Sequence, residues 1–473
     1  MGSNQERVRA GSPAWSLVAR RVIARVVDCQ PGELLPSALA AAQFFCLMFG
    51  YFILRPLRET MGLRGGEAHV QSLFQITAVV MLVAVPVYGL VASRVRRAVL
   101  VPGAYAFSIV CLAAFLVGMI AIPEADRAWL GDAYYIWLSV FNMFIVSVFW
   151  QLLADVFTLE QSKRLFGFIG VGGTAGAIAG SAYAWTLSER IGPTGLIASG
   201  GVLIALSMGV AVVLCRRGGP ERGAREASPS SIGGALGGSA FAGLRRMVTS
   251  RYLGAIGLVV LLFALTSTLL YFEKLRLVAA EAESDADRTA LFALITLCAQ
   301  IGTITLQLLL TGRLMRWLGV GTLLAVVPVI SVVGFAALDL AGSIVVYTVF
   351  EATRSAANYA LSKPARETLY TVVAREDKYK TKAGIDMFVY RGGDLAGSFV
   401  YGLVARAGAA VSVLAVPLGL AGITLAWWLG RAERQLAGDD ACEGDGANFQ
   451  QCGIQGTVDS QGTEREQHAT IAS

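Results

Sequence analysis

Eleven ionisable side chains interrupt stretches that are otherwise apolar: Arg55, Arg58 and Glu59; Asp155; Glu273, Lys274 and Arg276; Glu351 and Arg354; Arg391 and Asp394. A charge at membrane depth costs about 3 kcal/mol or more and is tolerated chiefly where it lines a cavity or meets a partner, so the chemistry of the chain is expected at these positions. Glu351 and Arg354 stand three apart on one helix face, which suits either a self-satisfied intrahelical pair or two groups presented to a cavity. Arg391 and Asp394 have the same spacing, but Gly392 and Gly393 between them leave the arginine open to a cavity, and a functional arginine is the reading there. Asp155 reads as a structural charge at a helix end, with a gating or proton-coupling role as the alternative.

An excess of arginine suits an anionic small molecule, because a guanidinium grips phosphate or carboxylate in a planar fork and stays charged at every relevant pH. Proton coupling would therefore use Glu59, Asp155, Glu273, Glu351 or Asp394, whereas exchange of one anion for another needs no such carrier. The run GVGGTAGAIAGS from Gly170 to Ser181 lacks the Lys-Ser/Thr ending of a nucleotide-hydrolysing loop and lies in an apolar span. Gly172, Gly176 and Gly180 recur every four residues, so one helix face is smooth enough for close packing and for rocking against a neighbour. The seven cysteines are scattered, and His69 and His468 have no partners nearby in sequence, so no metal site, cofactor or disulfide framework is expected. With no catalytic triad in view, the chain is not read as an enzyme.

These residues must be positioned by membrane helices. The chain has 473 residues, 55% hydrophobic and 15% charged, with 53 glycines, which points to the lipid bilayer as solvent. An all-α membrane protein of twelve transmembrane helices is expected, in two six-helix pseudo-symmetric bundles. The spans fall near 35–57, 70–92, 99–122, 134–157, 167–187 and 195–215, then 252–273, 288–311, 319–339, 343–362, 383–405 and 409–430. Arg55, Arg58 and Glu59 thus end the first helix, Asp155 the fourth, and Glu273, Lys274 and Arg276 the seventh. The loops on the side of the termini hold 28 of the 39 Lys and Arg, against 9 on the other side. Both termini are therefore placed in the cytoplasm, in a multi-pass protein of a bacterial inner membrane. The same distribution explains the net charge of +6 without nucleic acid.

The division expected is a cytoplasmic segment 1–33, bundles 34–215 and 251–431, a linker 216–250, and a disordered tail 432–473. Residues 14–27 alternate apolar and Arg positions at helical spacing, as a surface helix or a solvated leader would. An offset of 220 residues carries Tyr51-Phe52 onto Tyr271-Phe272 and Gly172-Gly173 onto Gly392-Gly393. Two halves in the same orientation joined by a long linker are the plan of parallel-repeat carriers such as the major facilitators. The loop with Gly89, Arg94, Arg96 and Arg97 is similar to a signature of that superfamily.

Four segments, YFILRPLRETMG from Tyr51, FWQLLADVFTLEQSKRLFGFIG from Phe149, YFEKLRL from Tyr271 and YRGGDLAGS from Tyr390, together resemble the ATP/ADP translocase family of nucleotide transporters. The resemblance spans most of residues 40–430. It implies a carrier exchanging nucleotides by alternating access, with Arg55, Arg58, Glu273 and Arg391 at the substrate; Asp394 is placed there by its charge beside Arg391, and a monomer is expected. The same resemblance and the glycine pattern put Asp155, Lys163, Arg164, Gly172, Gly173, Gly176, Gly392 and Gly393 in gating or packing roles. Leu54-Arg55 and Arg58-Glu59 match the family's first-helix pattern, with arginine at Arg58 and Arg391 where the family has lysine. Its fourth-helix glutamate, about eleven residues before the Phe-Trp pair, is Leu138 in this chain. The substrate expected is a nucleotide or another phosphorylated or carboxylated anion, with a proton-coupled carrier or efflux pump for other solutes as the alternative and a non-transporting membrane scaffold as a third reading.

Overall fold

The computed structural model describes residues 30, 32–95, 97–217, 245, 247–309, 317–373, 381–382 and 384–444, which form helices and their connections. The surface-helix reading of 14–27, the linker 216–250 and the tail fall wholly or largely outside the described residues. Among the described residues, twelve main helices follow in order. The first four are α1 (Leu34–Leu63), α2 (Glu67–Arg94), α3 (Arg97–Ala121) and α4 (Ala128–Val156). A continuous stretch, Leu159–Arg217, breaks at Gly192 into α5 (159–191) and α6 (193–217). Then come α7 (Arg251–Glu281), α8 (Asp285–Leu309), α9 (Gly319–Ala341), α10 (Ile344–Ala357), α11 (Tyr390–Arg406) and α12 (Ser412–Gly444). Helix α10 continues through a π-helical turn, Asn358–Ser362, into Lys363–Thr368, and a second π-helical turn, Ile385–Val389, leads into α11.

Local chemistry explains the boundaries. Thr158 and Gln161 exchange side-chain bonds to each other's backbone N–H (3.4 and 2.9 Å) at the start of α5, and Ser284 and Asp287 do the same for α8, so each satisfies two donors that a helix start leaves unpaired. Gly192 adopts φ 62°, which a side chain would resist, and Pro193 follows at the first position of α6, where its missing N–H costs nothing.

Two boundaries correct the sequence reading. Arg55, Arg58 and Glu59 do not end α1, which runs on to Leu63, and Glu273, Lys274 and Arg276 lie inside α7, which runs to Glu281. The charges are accommodated inside the helices by partners there: Glu59 meets Lys274 across the two halves, while Arg58 is held by Glu59 and Ser139 and Glu273 by Arg276. Likewise Lys163 and Arg164 belong to the first turns of α5 rather than to a loop.

The first six helices pack around one apolar cluster that includes Leu47, Leu54, Leu138, Phe149, Leu165 and Ile204. Its tightest seam is α1 against α5. A Cβ added at Gly172, Gly176 or Gly180 would come within 2.3–2.5 Å of the backbone oxygen of Ala41, Phe45 or Phe49, so only glycine permits this approach. The 220-residue offset is visible in packing: Gly173 abuts Phe44, and Gly393 abuts Ala264, which is Phe44's counterpart. Tyr51 and Phe52 stand edge-to-face at 5.3 Å between centroids, as do Tyr271 and Phe272.

A second cluster crosses between the halves, joining Leu63, Val70, Leu73 and Tyr135 to Leu269, Phe272, Leu275 and Tyr401. Polar contacts reinforce it. Thr60 bonds Thr289 (2.8 Å), Arg64 Nε donates to Asp285 (2.5 Å), Gln71 donates to the Ser398 carbonyl (2.7 Å), and Tyr401 donates to Glu67 (3.0 Å). All of them lie toward the side carrying the α1–α2 and α7–α8 connections. The halves are therefore closed together on that side.

Candidate functional site

Beneath this seal lies a cavity of about 330 Å³ between the halves. Its wall takes Arg55 and Arg58 from α1, Tyr271 and Lys274 from α7, Gln300 from α8, and Tyr347, Glu351 and Arg354 from α10. The π-helical turn and α11 add Asn358, Tyr359, Tyr390 and Asp394. Each position follows from the helical period: Tyr271 and Lys274, like Glu351 and Arg354, stand three residues apart and share a face. A π-helical turn, which such helices often carry at functional sites, is what brings Asn358 and Tyr359 into the wall.

Among the described residues, four cations face this space. Arg58 donates to Ser139 (2.9 Å), lies 4.9 Å over the Tyr135 ring and contacts the carboxylate of Glu59. Lys274 stands 3.8 Å from the same carboxylate and 4.6 Å over the Tyr271 ring. Arg354 is buried; it donates to the hydroxyls of Ser331 (3.1 Å), Thr266 (3.3 Å) and Ser267 (2.8 Å) and packs 4.9 Å over Phe263. Arg55 lies 5.7 Å over Phe52. Among the described residues, neither Arg55 nor Arg354 has a carboxylate at ion-pair distance, so both keep guanidinium donors for a ligand. Hydroxyls and aromatic faces hold these cations in place while consuming little of their charge.

The sequence-stated candidates divide by location. Arg55, Arg58 and Asp394 line the cavity. Asp394 accepts from Thr268 (3.3 Å) and from Arg391 (3.5 Å). Two expectations are corrected. Arg391, expected to open into the cavity, pairs instead with Asp394 three residues on, its side chain 41% exposed, and is not among the residues of the cavity wall. Glu273 accepts from Arg276 at 2.7 Å and is buried, and it is not among the residues of the wall. The intrahelical pair weighed for Glu351 and Arg354 is not closed: Glu351 accepts from Ser355 (2.9 Å) while Arg354 turns to hydroxyls on α7 and α9.

Asp155 is half-buried at the end of α4, away from the cavity, and Arg164 reaches across to Glu33 at the start of α1 (3.2 Å). The side chain of Lys163 lies outside the described residues. Gly172, Gly173, Gly176 and Gly393 serve helix packing, whereas a Cβ at Gly392 would meet open space. Leu138, where the resemblance expects a glutamate, is fully buried in the first-half core.

Lys274 and Arg354 are visible in the sequence as charges within apolar stretches, but their place in the wall is not. Sequence reasoning missed Tyr135 and Ser139 altogether, because a hydroxyl in an apolar span gives no signal until its partner is known.

No protein-family model matches the chain, and neither does any curated protein. Solved structures do. The nucleoside transporter NupG aligns over 85% of this chain and 99% of its own length, at 15% identity and a TM-score of 0.57. The human organic anion transporter MFSD10 (TETRAN) aligns over 84% and 100%, at 15% identity and 0.56. An auto-inhibited POT family peptide transporter aligns over 85% and 96%, at 12% identity and 0.57. At such identities the likeness concerns architecture, and it assigns the chain the twelve-helix, two-bundle fold of major facilitator carriers.

Proposed function

We propose that the protein is a secondary transporter that moves an organic anion across a bacterial inner membrane by alternating access, and that nucleotides are the favoured substrates, exchanged one for another. The observation that carries this reading is the central cavity with Arg55 and Arg354 on opposite halves, both without a carboxylate at ion-pair distance among the described residues, and Arg58 and Lys274 beside them. Among the described residues the four cations outnumber the carboxylates of Glu351, Asp394 and the adjoining Glu59, and Asp394 is already paired with Arg391. The aromatic walls, Phe74, Phe263, Tyr271, Tyr347, Tyr359 and Tyr390, suit a substrate that carries a flat ring beside its anionic group. A nucleoside carrier and an organic anion carrier with the same fold fit that pairing of features. The matched halves and the excess of basic loop residues support a monomer with bundles 34–215 and 251–431 and both termini cytoplasmic, so that the seal is on the outer face.

Counter-exchange of labelled ADP against internal ATP in proteoliposomes tests the reading: uptake above protein-free vesicles is expected, and its absence for both nucleotides removes nucleotide exchange. The second reading, proton-coupled transport, is favoured by one observation, the carboxylate of Asp394 facing the cavity beside Thr268. That reading requires transport to collapse with an uncoupler and with Asp394→Asn.

A further inference from the structure

Glu59 is the group that the proposed function leaves unused. It belongs to α1 yet is held from α7, its side chain only 2% exposed: Tyr271 donates to it at 2.6 Å and Lys274 stands 3.8 Å away. Tyr271 is in turn bonded to Tyr135 of α4 at 2.8 Å. These contacts lie at the closed end of the cavity, just below Thr60 and Thr289. The sealed side can open only if α1 and α7 separate there. Separation would leave a buried carboxylate and a buried ammonium each without its cross-bundle partner, a strongly unfavourable state in a low-dielectric site.

We propose that Glu59 is a tethered anion that occupies Lys274 in the empty carrier, and that Lys274 is the second-half ligand for the substrate's anionic group, which must displace Glu59 before the outer side opens. This rests on the transport reading above and adds its coupling. A substrate carboxylate or phosphate that enters between Arg55, Arg354 and Lys274 replaces Glu59 at the ammonium, and Glu59 keeps Arg58 on its own helix. The loaded carrier then parts its bundles with every charge still matched, while the empty one does not. Exchange becomes obligatory without any proton carrier.

The test reads the seal directly and needs no transport. Thr289 is buried within it, so Thr289→Cys, in full-length protein whose seven native cysteines are replaced, is labelled by a membrane-impermeant maleimide only when the outer side opens. Glu59→Gln is expected to speed labelling by about tenfold, and Tyr271→Phe, which keeps the charges, by less. Adding Lys274→Gln to Glu59→Gln is expected to give no further acceleration, since the two act through one contact. ADP, succinate and inorganic phosphate are then added separately: at least one should accelerate labelling of the protein that retains Glu59 and leave the Glu59→Gln rate unchanged.

Labelling of Glu59→Gln and Tyr271→Phe at the parent rate overturns the proposal, with Tyr271→Phe deciding if Glu59→Gln fails to fold. Strictly additive effects of Glu59→Gln and Lys274→Gln overturn it as well, and acceleration by none of the three anions overturns Lys274 as their receiver. Loss of vesicle exchange alongside the expected labelling pattern removes the transport reading instead.

Discussion

A guanidinium that spends its donors on hydroxyls can still bind an anion; one locked to a carboxylate largely cannot. Arg354 is of the first kind, held by Ser331, Thr266 and Ser267. Replacing it with Gln is expected to raise the KM for the transported anion roughly ten- to a hundredfold, the worth of one or two charge-assisted hydrogen bonds. Arg354→Lys should recover little of this, since an ammonium cannot reproduce the fork; uptake kinetics in vesicles check both. Arg391→Gln, paired outside the wall, should alter KM far less.

Another residue sets a pH limit. The Glu33 carboxyl, outside the spanning segments, is pushed up by burial but more than compensated by bonds from the Gln30 backbone N–H, Gln161 and Arg164, so it sits below its ordinary value. A carboxylate with a depressed folded-state value stabilises the fold above its unfolded value of 4.5 and loses that contribution as pH falls through the lower one. Thermal unfolding of the parent and of Glu33→Gln should therefore differ at neutral pH, and the difference should shrink as the pH falls below 4.5 and vanish once it has passed the depressed folded-state value.

Among the elements, α1 against α5 is the seam most sensitive to volume. A methyl at position 176 would come within 2.3 Å of the Phe45 carbonyl oxygen, a backbone atom that cannot rotate aside. Gly176→Ala is expected to destabilise by about 1–3 kcal/mol through overpacking, read as a lower melting temperature in detergent. Gly392→Ala, with nothing within 4 Å of the added carbon, is the matched control and should melt close to the parent. The contrast also shows how far the sequence was legible here. The four-residue glycine spacing identified a close-packed face, and the 220-residue offset paired Gly173 with Gly393. Gly392, by contrast, looks the same as Gly172 on paper, and only the neighbouring helix distinguishes them.

For the whole molecule, closure of one side rests on two kinds of contact that should respond differently. At the rim, Arg64 and Asp285 are each about one-third exposed, and Asp285 also accepts from Arg288 (3.1 Å). Such pairs are worth roughly 0.2–1 kcal/mol and are screened by salt. Asp285→Asn should thus raise maleimide labelling at Thr289→Cys no more than about fivefold, and 1 M salt should reproduce most of the effect. The buried contacts of Glu59 should be far less responsive to salt.

The sequence by itself determined the solvent, the number of helices, their pairing into two matched halves and the small set of charges in which a site had to be sought. All of these follow from period, length and the cost of charge in hydrocarbon, which are local properties of the chain. Which charges share a chamber was decided only by the tertiary structure. Arg58, Lys274 and Arg354 came together and Arg391 and Glu273 did not: the last two are satisfied three residues along their own helices by Asp394 and Arg276, whereas the partners of Lys274 and Arg354 are supplied by other helices far away in sequence.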